Sequence, residues 1–205
     1  MSCAGKLAGK CVVVTGAGGE GGAGADPGIG EATSLTMAAE GAAVACLDID
    51  LARAENTAGD IVAAGGRAIA LACDVASAED CSRAAIEVER LLGRPTVLIN
   101  NAGINPAIAA DMLDEATWRR VLDVNLTGAW TMARALVPGM AAAGGGAIVS
   151  VGSLAGKLAY GTLAYGVSKA ALAALTRELA VLHGRDGIRV NTVSPGHMAT
   201  AFVAS

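Results

Sequence analysis

Short apolar runs alternate with longer segments of helical periodicity, and this alternation constrains the fold more than any other feature of the chain. The strand-like runs are residues 11–15, 43–48, 67–73, 96–100, 147–151 and 188–193. The segments with helical periodicity are residues 29–40, 51–64, 77–92, 115–140 and 165–183. Strands that are apolar throughout and separated by helices predict a parallel sheet covered on both faces. We therefore expect an α/β, doubly wound fold with six strands.

The high apolar content comes mainly from small residues and does not indicate a membrane protein. Hydrophobic residues make up 53% of the 205 residues, but aromatic residues only 2%, and there are 28 glycines. The longest uncharged stretch, residues 135–156, contains Pro138 and three consecutive glycines, which would break a spanning helix. No signal-peptide layout precedes the first strand. We expect one domain over residues 1–205, no membrane association and a cytoplasmic location.

Charge and cysteine usage exclude two further classes of function. The formal net charge is −4 and no basic stripe is present, which argues against nucleic acid as a partner. The five cysteines form no Cys-x-x-Cys pair, and His183 and His197 are far apart in the sequence. We therefore predict neither a metal site nor a disulfide framework.

A glycine-rich stretch between the first strand and the first helix predicts a phosphate-binding turn. Gly16 follows the strand, and Gly28-Ile29-Gly30 opens the helix. Glycines allow the backbone to approach a pyrophosphate, and a helix N-terminus offers free N–H groups with partial positive charge. Asp48 ends the second strand, where a carboxylate suits a ribose 2′-hydroxyl and repels a 2′-phosphate. No Lys or Arg stands in the turn, so NAD is favoured over NADP.

A tyrosine and a lysine four residues apart form the second motif. Tyr165 and Lys169 lie in a predicted helix, so their side chains share one face. A free tyrosine titrates near pH ~10, and a positive charge nearby lowers its pKa. The pair is therefore suited to general acid–base chemistry near neutral pH. By itself, Tyr-x-x-x-Lys is equally typical of an amphipathic helix with a solvated lysine.

In their order and spacing, the motifs resemble those of the short-chain dehydrogenase/reductase family in its Tyr-x-x-x-Lys form, over nearly the whole chain. Further matches are Asp74-Val75, Asn100-Asn101-Ala102-Gly103, Asn125, Ser153, and Pro195-Gly196 with Thr200. The resemblance implies a Rossmann-like fold and a catalytic tetrad of Asn125, Ser153, Tyr165 and Lys169. It also implies cofactor contacts from Gly16, Gly28, Ile29, Gly30, Asp48, Asp74, Val75, Asn101, Ala102, Gly103, Tyr165, Lys169, Pro195, Gly196 and Thr200.

The resemblance further implies hydride transfer between NAD(H) and a small-molecule secondary alcohol or ketone. Tyr165 would exchange the proton of the substrate oxygen, and Ser153 would donate a hydrogen bond to that oxygen. Lys169 would lower the pKa of the tyrosine and hold the nicotinamide ribose, while Asn125 would anchor a water that relays the proton. The expected protein is an NAD-dependent alcohol dehydrogenase or ketone reductase. A homo-oligomer, a dimer or a tetramer, is left open, because the usual C-terminal interface of the family is missing from this sequence.

Two departures from the family pattern leave alternatives open. The stretch from Gly16 to Gly30 is about eight residues longer than the family's glycine loop, and its own glycines 18, 22 and 24 compete as the phosphate turn. We favour Gly28 and Gly30, because the helix that follows then has the right length. The sequence stops at Ser205, without the family's usual C-terminal segment, which carries a seventh strand, much of the substrate cover and a tetramer surface. The sixth strand is then expected to form a sheet edge, and the alternative function is a catalytically impaired dinucleotide-binding protein.

Overall fold

The computed structural model describes residues 5–19, 27–106, 112–196 and 198. Its strands are β1 (Cys11–Thr15), β2 (Ala43–Asp48), β3 (Arg67–Ala72), β4 (Val97–Asn100), β5 (Gly146–Val151) and β6 (Ile188–Val193). They form one sheet in the order β3-β2-β1-β4-β5-β6, and every neighbouring pair is parallel. The predicted doubly wound α/β fold is therefore confirmed, with β6 at one edge of the sheet.

Helices connect these strands, and several begin at a residue whose side chain caps them. The helices are α1 (Ile29–Ala39), α2 (Leu51–Ala63), α3 (Ala78–Leu92), α4 (Glu115–Leu122), α5 (Gly128–Ala142) and α6 (Leu163–His183). Asp50 accepts a hydrogen bond from the backbone N–H of Ala52, and Asp114 accepts one from that of Thr117. Such caps satisfy N–H groups that have no partner inside the helix, and so set where the helix starts. Within the described residues, no helix combines the length and the apolarity that crossing a bilayer requires.

Side chains of the central strands alternate between two apolar layers. On one face, Val13 and Leu98 pack in a cluster with residues of α3, α5 and α6. On the other face, Val12 and Val14 pack in a cluster with residues of α1 and α2. Burial on both faces explains why these strands are apolar throughout rather than alternating with polar residues.

The direction in which the sheet grows reverses between β1 and β4. From β1 the chain adds β2 and β3 on one side, then crosses over and adds β4, β5 and β6 on the other. In the register of β1 and β4, Val14 lies beside Ile99, so Thr15 and Asn100 end adjacent strands. At such a reversal, the connections that follow the two strands lead away from each other and leave a crevice outside the carboxyl ends. This crevice is the usual ligand site of such sheets.

One predicted helix is interrupted in the structure. Residues 115–140 were expected to form a single helix, but a π-helical turn, Asp123–Thr127, separates α4 from α5. The turn contains Asn125, whose side chain hydrogen-bonds to the backbone of Ile104 in the loop after β4. A π-turn inserts one residue into a helix and redirects the side chains beyond it, and such turns are frequent at functional sites.

Candidate active site

The glycine turn brings the start of α1 against the end of β1. Gly16 has a φ of +62°, and a Cβ there would lie 2.8 Å from the Cα of Ala102. At Gly30, a Cβ would overlap the carbonyl oxygen of Gly16. Gly28 is the N-cap of α1 and offers no capping side chain, so it leaves the first N–H groups of the helix to be satisfied by another group. Gly28 and Gly30 thus open α1 directly beside the carboxyl edge of the sheet, while residues 20–26 lie outside the described residues.

Hydrogen bonds hold the ends of β1 and β4 together at the switch in strand order. The Thr15 hydroxyl oxygen accepts from the backbone N–H groups of Asn101 and Ala102, both at 3.1 Å. The side-chain Nδ2 of Asn101 donates to the carbonyl oxygens of Thr15, at 3.0 Å, and Gly16, at 2.8 Å. Asn101, predicted as a cofactor contact, therefore uses its side chain to hold the glycine turn. Thr15 has the same structural role, and sequence reasoning missed it.

The carboxylate of Asp48 closes the other side of the glycine turn. Its oxygens accept hydrogen bonds from the backbone N–H of Gly18, at 2.9 Å, and from that of Asp50, at 3.1 Å. A Cβ on Gly18 would lie 2.7 Å from both Asp48 Oδ2 and the Cβ of Arg53. The turn itself contains no Lys or Arg, but the fold places Arg53, near the start of α2, beside Gly18. The spacing of Arg53, five residues after Asp48, is the only signal that could have revealed it.

The predicted adenine-contacting pair forms the loop after β3. Asp74 accepts a hydrogen bond from the backbone N–H of Ala76 at 3.0 Å and pairs with Arg120 of α4 at 3.2 Å. Val75 is buried, and its side chain packs against Gly128, where a Cβ would lie 2.7 Å from Val75 Cγ2. The loop is therefore held between α4 and α5, on the same edge of the sheet as the glycine turn.

Ser153 and Tyr165 meet just beyond the end of β5. Ser153 begins a short 3₁₀ turn, in which its hydroxyl oxygen accepts from the backbone N–H of Ala155 at 3.1 Å. Tyr165 lies in the first turn of α6 and hydrogen-bonds to the Ser153 side chain. Burial raises the pKa of the Tyr165 phenol, and the hydrogen bond with Ser153 opposes this shift.

Lys169 is buried beneath the tyrosine, with 5% of its surface exposed. Its Nζ donates to the carbonyl oxygen of Val151 at 2.7 Å and lies 5.6 Å from the centroid of the Tyr165 ring. Burial lowers the pKa of Lys169 to about 8. The expectation that the pKa of Tyr165 lies below its ordinary value is wrong for this structure, because burial of the phenol raises this pKa. The amine is directed to the end of β5, and burial of the phenol dominates its pKa.

Asn125 connects the π-helical turn with the loop after β4. Its amide accepts a hydrogen bond from the backbone N–H of Ile104 at 2.8 Å and donates to the carbonyl oxygen of the same residue at 2.9 Å. A Cβ on Gly103 would lie 3.3 Å from Asn125 Oδ1 and 3.4 Å from Lys169 Nζ. Asn125 and Lys169 of the predicted tetrad thus flank one loop end, which continues through Ala102 and Asn101 to the glycine turn.

The segment after β6 lies beside the residues that follow Ser153. Pro195 accepts a hydrogen bond from the backbone N–H of Leu154 at 3.1 Å, and a Cβ on Gly196 would lie 3.5 Å from Leu154 Cδ1. Pro195 and Gly196 are therefore close to the predicted serine. The predicted cofactor contact Thr200 lies outside the described residues.

Taken as a whole, this edge fits a dinucleotide. Glycine turns at Gly16 and Gly30 bring bare backbone close to a helix N-terminus, which is suited to a pyrophosphate. An acidic side chain, Asp48, stands at the end of the neighbouring strand, where it can accept hydrogen bonds from a ribose. Glu31 places its carboxylate against Gly19 and is the one anion of the described residues that directly contacts the turn from α1.

Comparison with known proteins identifies the class. A family model described as short chain dehydrogenase matches residues 10–205, and the chain belongs to the short-chain dehydrogenase/reductase family of oxidoreductases. It is 35% identical over 201 residues to the cyclohexanol dehydrogenase of Acinetobacter sp. (strain SE19), a match that covers 97% of this chain and 77% of that protein.

Solved structures agree with this assignment. A short-chain dehydrogenase/reductase from Burkholderia xenovorans superposes with a TM-score of 0.91 at 35% identity, over 98% of this chain and 79% of that one. A 7α-hydroxysteroid dehydrogenase complexed with NADH and 7-oxo glycochenodeoxycholic acid superposes with a TM-score of 0.85 at 34% identity, over 93% of this chain and 71% of that one. Both similarities span the sheet and the candidate active site.

Substitution of the two glycines that open α1 should have unequal effects. In Gly30→Ala the new methyl group overlaps the Gly16 carbonyl, whereas no atom of the described residues lies within 4 Å of a Cβ at position 28. We expect Gly30→Ala to lower the free energy of unfolding by about 1–3 kcal/mol. The matched control Gly28→Ala should cost under about 1 kcal/mol. Urea unfolding followed by circular dichroism measures both, and equal losses would contradict the close packing at Gly30.

The buried lysine should make stability depend on pH. Because the folded-state pKa of Lys169 is about 8 and that of an unfolded lysine is ~10.4, the unfolded state binds more protons between these pH values. The contribution of Lys169 to stability therefore rises with pH across this window. Relative to Lys169→Met, the wild type should gain roughly 2 kcal/mol of unfolding free energy between pH 7 and pH 10. The exposed Lys157→Met serves as control, and identical pH profiles for the two variants would refute the lowered pKa.

Proposed function

We propose that the protein is an NAD(H)-dependent oxidoreductase that interconverts a secondary alcohol and the matching ketone, with Tyr165 as general acid–base. The observation that carries this proposal is the position of the Tyr165 phenol, which lies near the Ser153 side chain and 5.6 Å from the buried amine of Lys169, measured to the ring centroid. This group lies at the carboxyl edge of the sheet, one loop away from the glycine turn. The chain contains one other tyrosine, Tyr160, which is exposed.

The substrate oxygen would bind between the Ser153 hydroxyl and the Tyr165 phenol. Ser153 donates a hydrogen bond to this oxygen and orients it. In ketone reduction Tyr165 donates its proton to the oxygen, and in alcohol oxidation the phenolate removes the proton of the hydroxyl. The hydride would be supplied or accepted by a nicotinamide dinucleotide bound at this edge of the sheet. General acid–base catalysis of this kind contributes roughly 10²–10⁴-fold to rate.

The raised pKa of Tyr165 bears on the direction of the reaction. A phenol whose pKa is raised stays protonated at neutral pH. The protonated phenol is the form that ketone reduction needs. Alcohol oxidation needs the phenolate, and the positive charge of Lys169 favours that form. With a pKa of about 8, the lysine is mainly cationic at pH 7. We further propose that Lys169 holds the nicotinamide ribose and that Asn125 anchors a relay water.

The electrostatics of the glycine turn support NAD as the dinucleotide. Asp48 stands at the end of β2 with its carboxylate beside Gly18, and a 2′-phosphate there would meet a negative charge. Arg53 lies on the other side of Gly18 and could pair with such a phosphate if the carboxylate were neutral. The preference would therefore depend on the charge of Asp48.

The substrate is proposed to be a modestly apolar secondary alcohol. Residues that follow Ser153 are mostly apolar, among them Leu154, Ala155 and Leu158. Two of the similar proteins are named for alcohols on carbocyclic rings, a cyclohexanol dehydrogenase and a 7α-hydroxysteroid dehydrogenase. Cyclohexanol and cyclohexanone are therefore suitable first probes.

Removal of one phenolic hydroxyl tests the mechanism. Tyr165→Phe should lower kcat for cyclohexanone reduction by roughly 10²–10⁴-fold, because the proton donor is lost. Affinity for NADH, measured by fluorescence titration, should remain within about twofold of wild type, since the phenol is not required to hold the dinucleotide. Tyr160→Phe is the matched control and should keep kcat within about twofold. Turnover of Tyr165→Phe near the wild-type rate would remove Tyr165 from the mechanism.

Neutralising the carboxylate at the end of β2 tests the choice of cofactor. Asp48→Asn keeps an oxygen that can accept from the Gly18 N–H but removes the negative charge. We expect the ratio of NADPH affinity to NADH affinity to rise at least roughly tenfold, which corresponds to about 1.4 kcal/mol. The exposed Asp60→Asn on α2 controls for a general change in charge. An unchanged ratio in Asp48→Asn would contradict the assigned role.

A further inference from the structure

Ser168 occupies a position between two residues of the candidate tetrad. Its hydroxyl accepts a hydrogen bond from Asn125 Nδ2 at 3.0 Å and donates one to the carbonyl oxygen of Tyr165 at 2.7 Å. The side chain is fully buried, with 0% of its surface exposed. It lies on α6 between Tyr165 and Lys169, yet it faces the π-helical turn rather than the Ser153 hydroxyl.

The hydrogen bond to Ser168 helps to fix the orientation of the Asn125 amide. Its oxygen accepts from the backbone N–H of Ile104, and its nitrogen donates both to Ile104 and to Ser168. An amide nitrogen has two donors, and each here has a distinct acceptor on a different segment. Without the serine hydroxyl, one donor of a buried amide would lose its partner, and the contact between the π-helical turn and α6 would be broken.

We propose that Ser168 is a positioning residue for the reaction: it holds Asn125 against the first turn of α6, and thereby sets the loop at Gly103 and Ile104 relative to Tyr165 and Lys169. This inference rests on the proposed function, because it assigns Ser168 a part in the same site. The hydroxyl acts through Asn125 and needs no contact with substrate or dinucleotide.

The surroundings of Gly103 explain how loss of the hydrogen bond between Asn125 and Ser168 would affect Lys169. A Cβ on Gly103 would lie 3.3 Å from Asn125 Oδ1 and 3.4 Å from Lys169 Nζ, so the two side chains confine the loop from both sides. Loosening Asn125 frees Ile104, whose backbone is held by the amide through two hydrogen bonds. Gly103 then loses its defined position against Lys169. Such a change reduces the fraction of molecules with the correct arrangement of acid, lysine and loop.

If Ser168 only stabilised the fold, Ser168→Ala would have the same effect on kcat as removal of another buried hydroxyl from α6. Thr176 provides that control. Thr176 lies two turns further along, is buried, donates its hydroxyl to the carbonyl oxygen of Leu172 at 2.9 Å and accepts from the Thr192 hydroxyl at 2.7 Å. Thr176→Val therefore removes a buried hydroxyl with the same two kinds of contact from the same helix. It should destabilise the fold to a similar extent as Ser168→Ala without a change in the site.

The experiment compares kcat, KM and NADH affinity of Ser168→Ala, Ser168→Thr and Thr176→Val, with cyclohexanone and NADH as probes. We expect Ser168→Ala to lower kcat at least roughly tenfold, with the Kd for NADH within about twofold of wild type. Ser168→Thr retains the hydroxyl and should keep kcat within about threefold. If its extra methyl prevents folding, Ser168→Cys, which is close in shape, replaces it and should give an intermediate kcat. Thr176→Val should keep kcat within about twofold.

A double-mutant cycle with Asn125→Ala decides whether the serine acts through the amide. In the Asn125→Ala background, Ser168→Ala should change kcat by less than about twofold, because the contact that it removes is already absent. Multiplicative effects of the two substitutions, or a Ser168→Ala protein with wild-type kcat, would overturn the inference. Loss of kcat in Thr176→Val equal to that in Ser168→Ala would also overturn the inference.

If Tyr165→Phe remains fully active, the proposed function fails. If Tyr165→Phe is inactive while Ser168→Ala is fully active, only the role of Ser168 is rejected.

Discussion

The contact between the carboxyl ends of β1 and β4 is the constraint on which the rest of the site depends. Thr15 and Asn101 tie the two strand ends together through side-chain hydrogen bonds to backbone groups. Gly16 and Gly30 permit this approach because neither carries a Cβ. A hydrogen bond between buried groups contributes modestly when made but is costly when broken, so this junction holds the helix start and the loop at Gly103 in a single arrangement.

Burial governs the acid–base groups more than their mutual proximity does. Tyr165 and Lys169 are neighbours on one helix face, but the amine donates to the carbonyl of Val151 and the phenol bonds to Ser153. Desolvation disfavours the charged form of each group, which raises the pKa of the tyrosine and lowers that of the lysine. Both pKa shifts favour the neutral form of the group concerned. In the proposed mechanism, the neutral phenol is the form that donates a proton to the ketone oxygen.

The helix register around Asn125 illustrates what periodicity cannot predict. The apolar pattern of residues 115–140 is compatible with one continuous helix, but the structure has a π-helical turn at the point where Asn125 contacts Ile104. Arg53 is a similar case, because its approach to Gly18 depends on how α2 packs beside the turn. The motif residues were found because each has a characteristic chemistry at a characteristic spacing along the chain. The backbone contacts of Thr15 and the hydrogen bond from Asn125 to Ser168 leave no such pattern in the sequence.

The sequence by itself determined the order of strands and helices, the parallel sheet and the family, since these follow from apolar runs, glycine positions and the spacing of a few polar residues. The prediction of Gly28 and Gly30 as the start of α1 also rested on helix length alone, and the structure places them there. Only the tertiary structure decided the protonation tendencies of Tyr165 and Lys169, the commitment of the Asn101 side chain to the glycine turn, and the link from Asn125 to Ser168. The physical reason is that burial and hydrogen-bond partners are properties of residues distant in the chain, and they exist only after the strands and helices have packed.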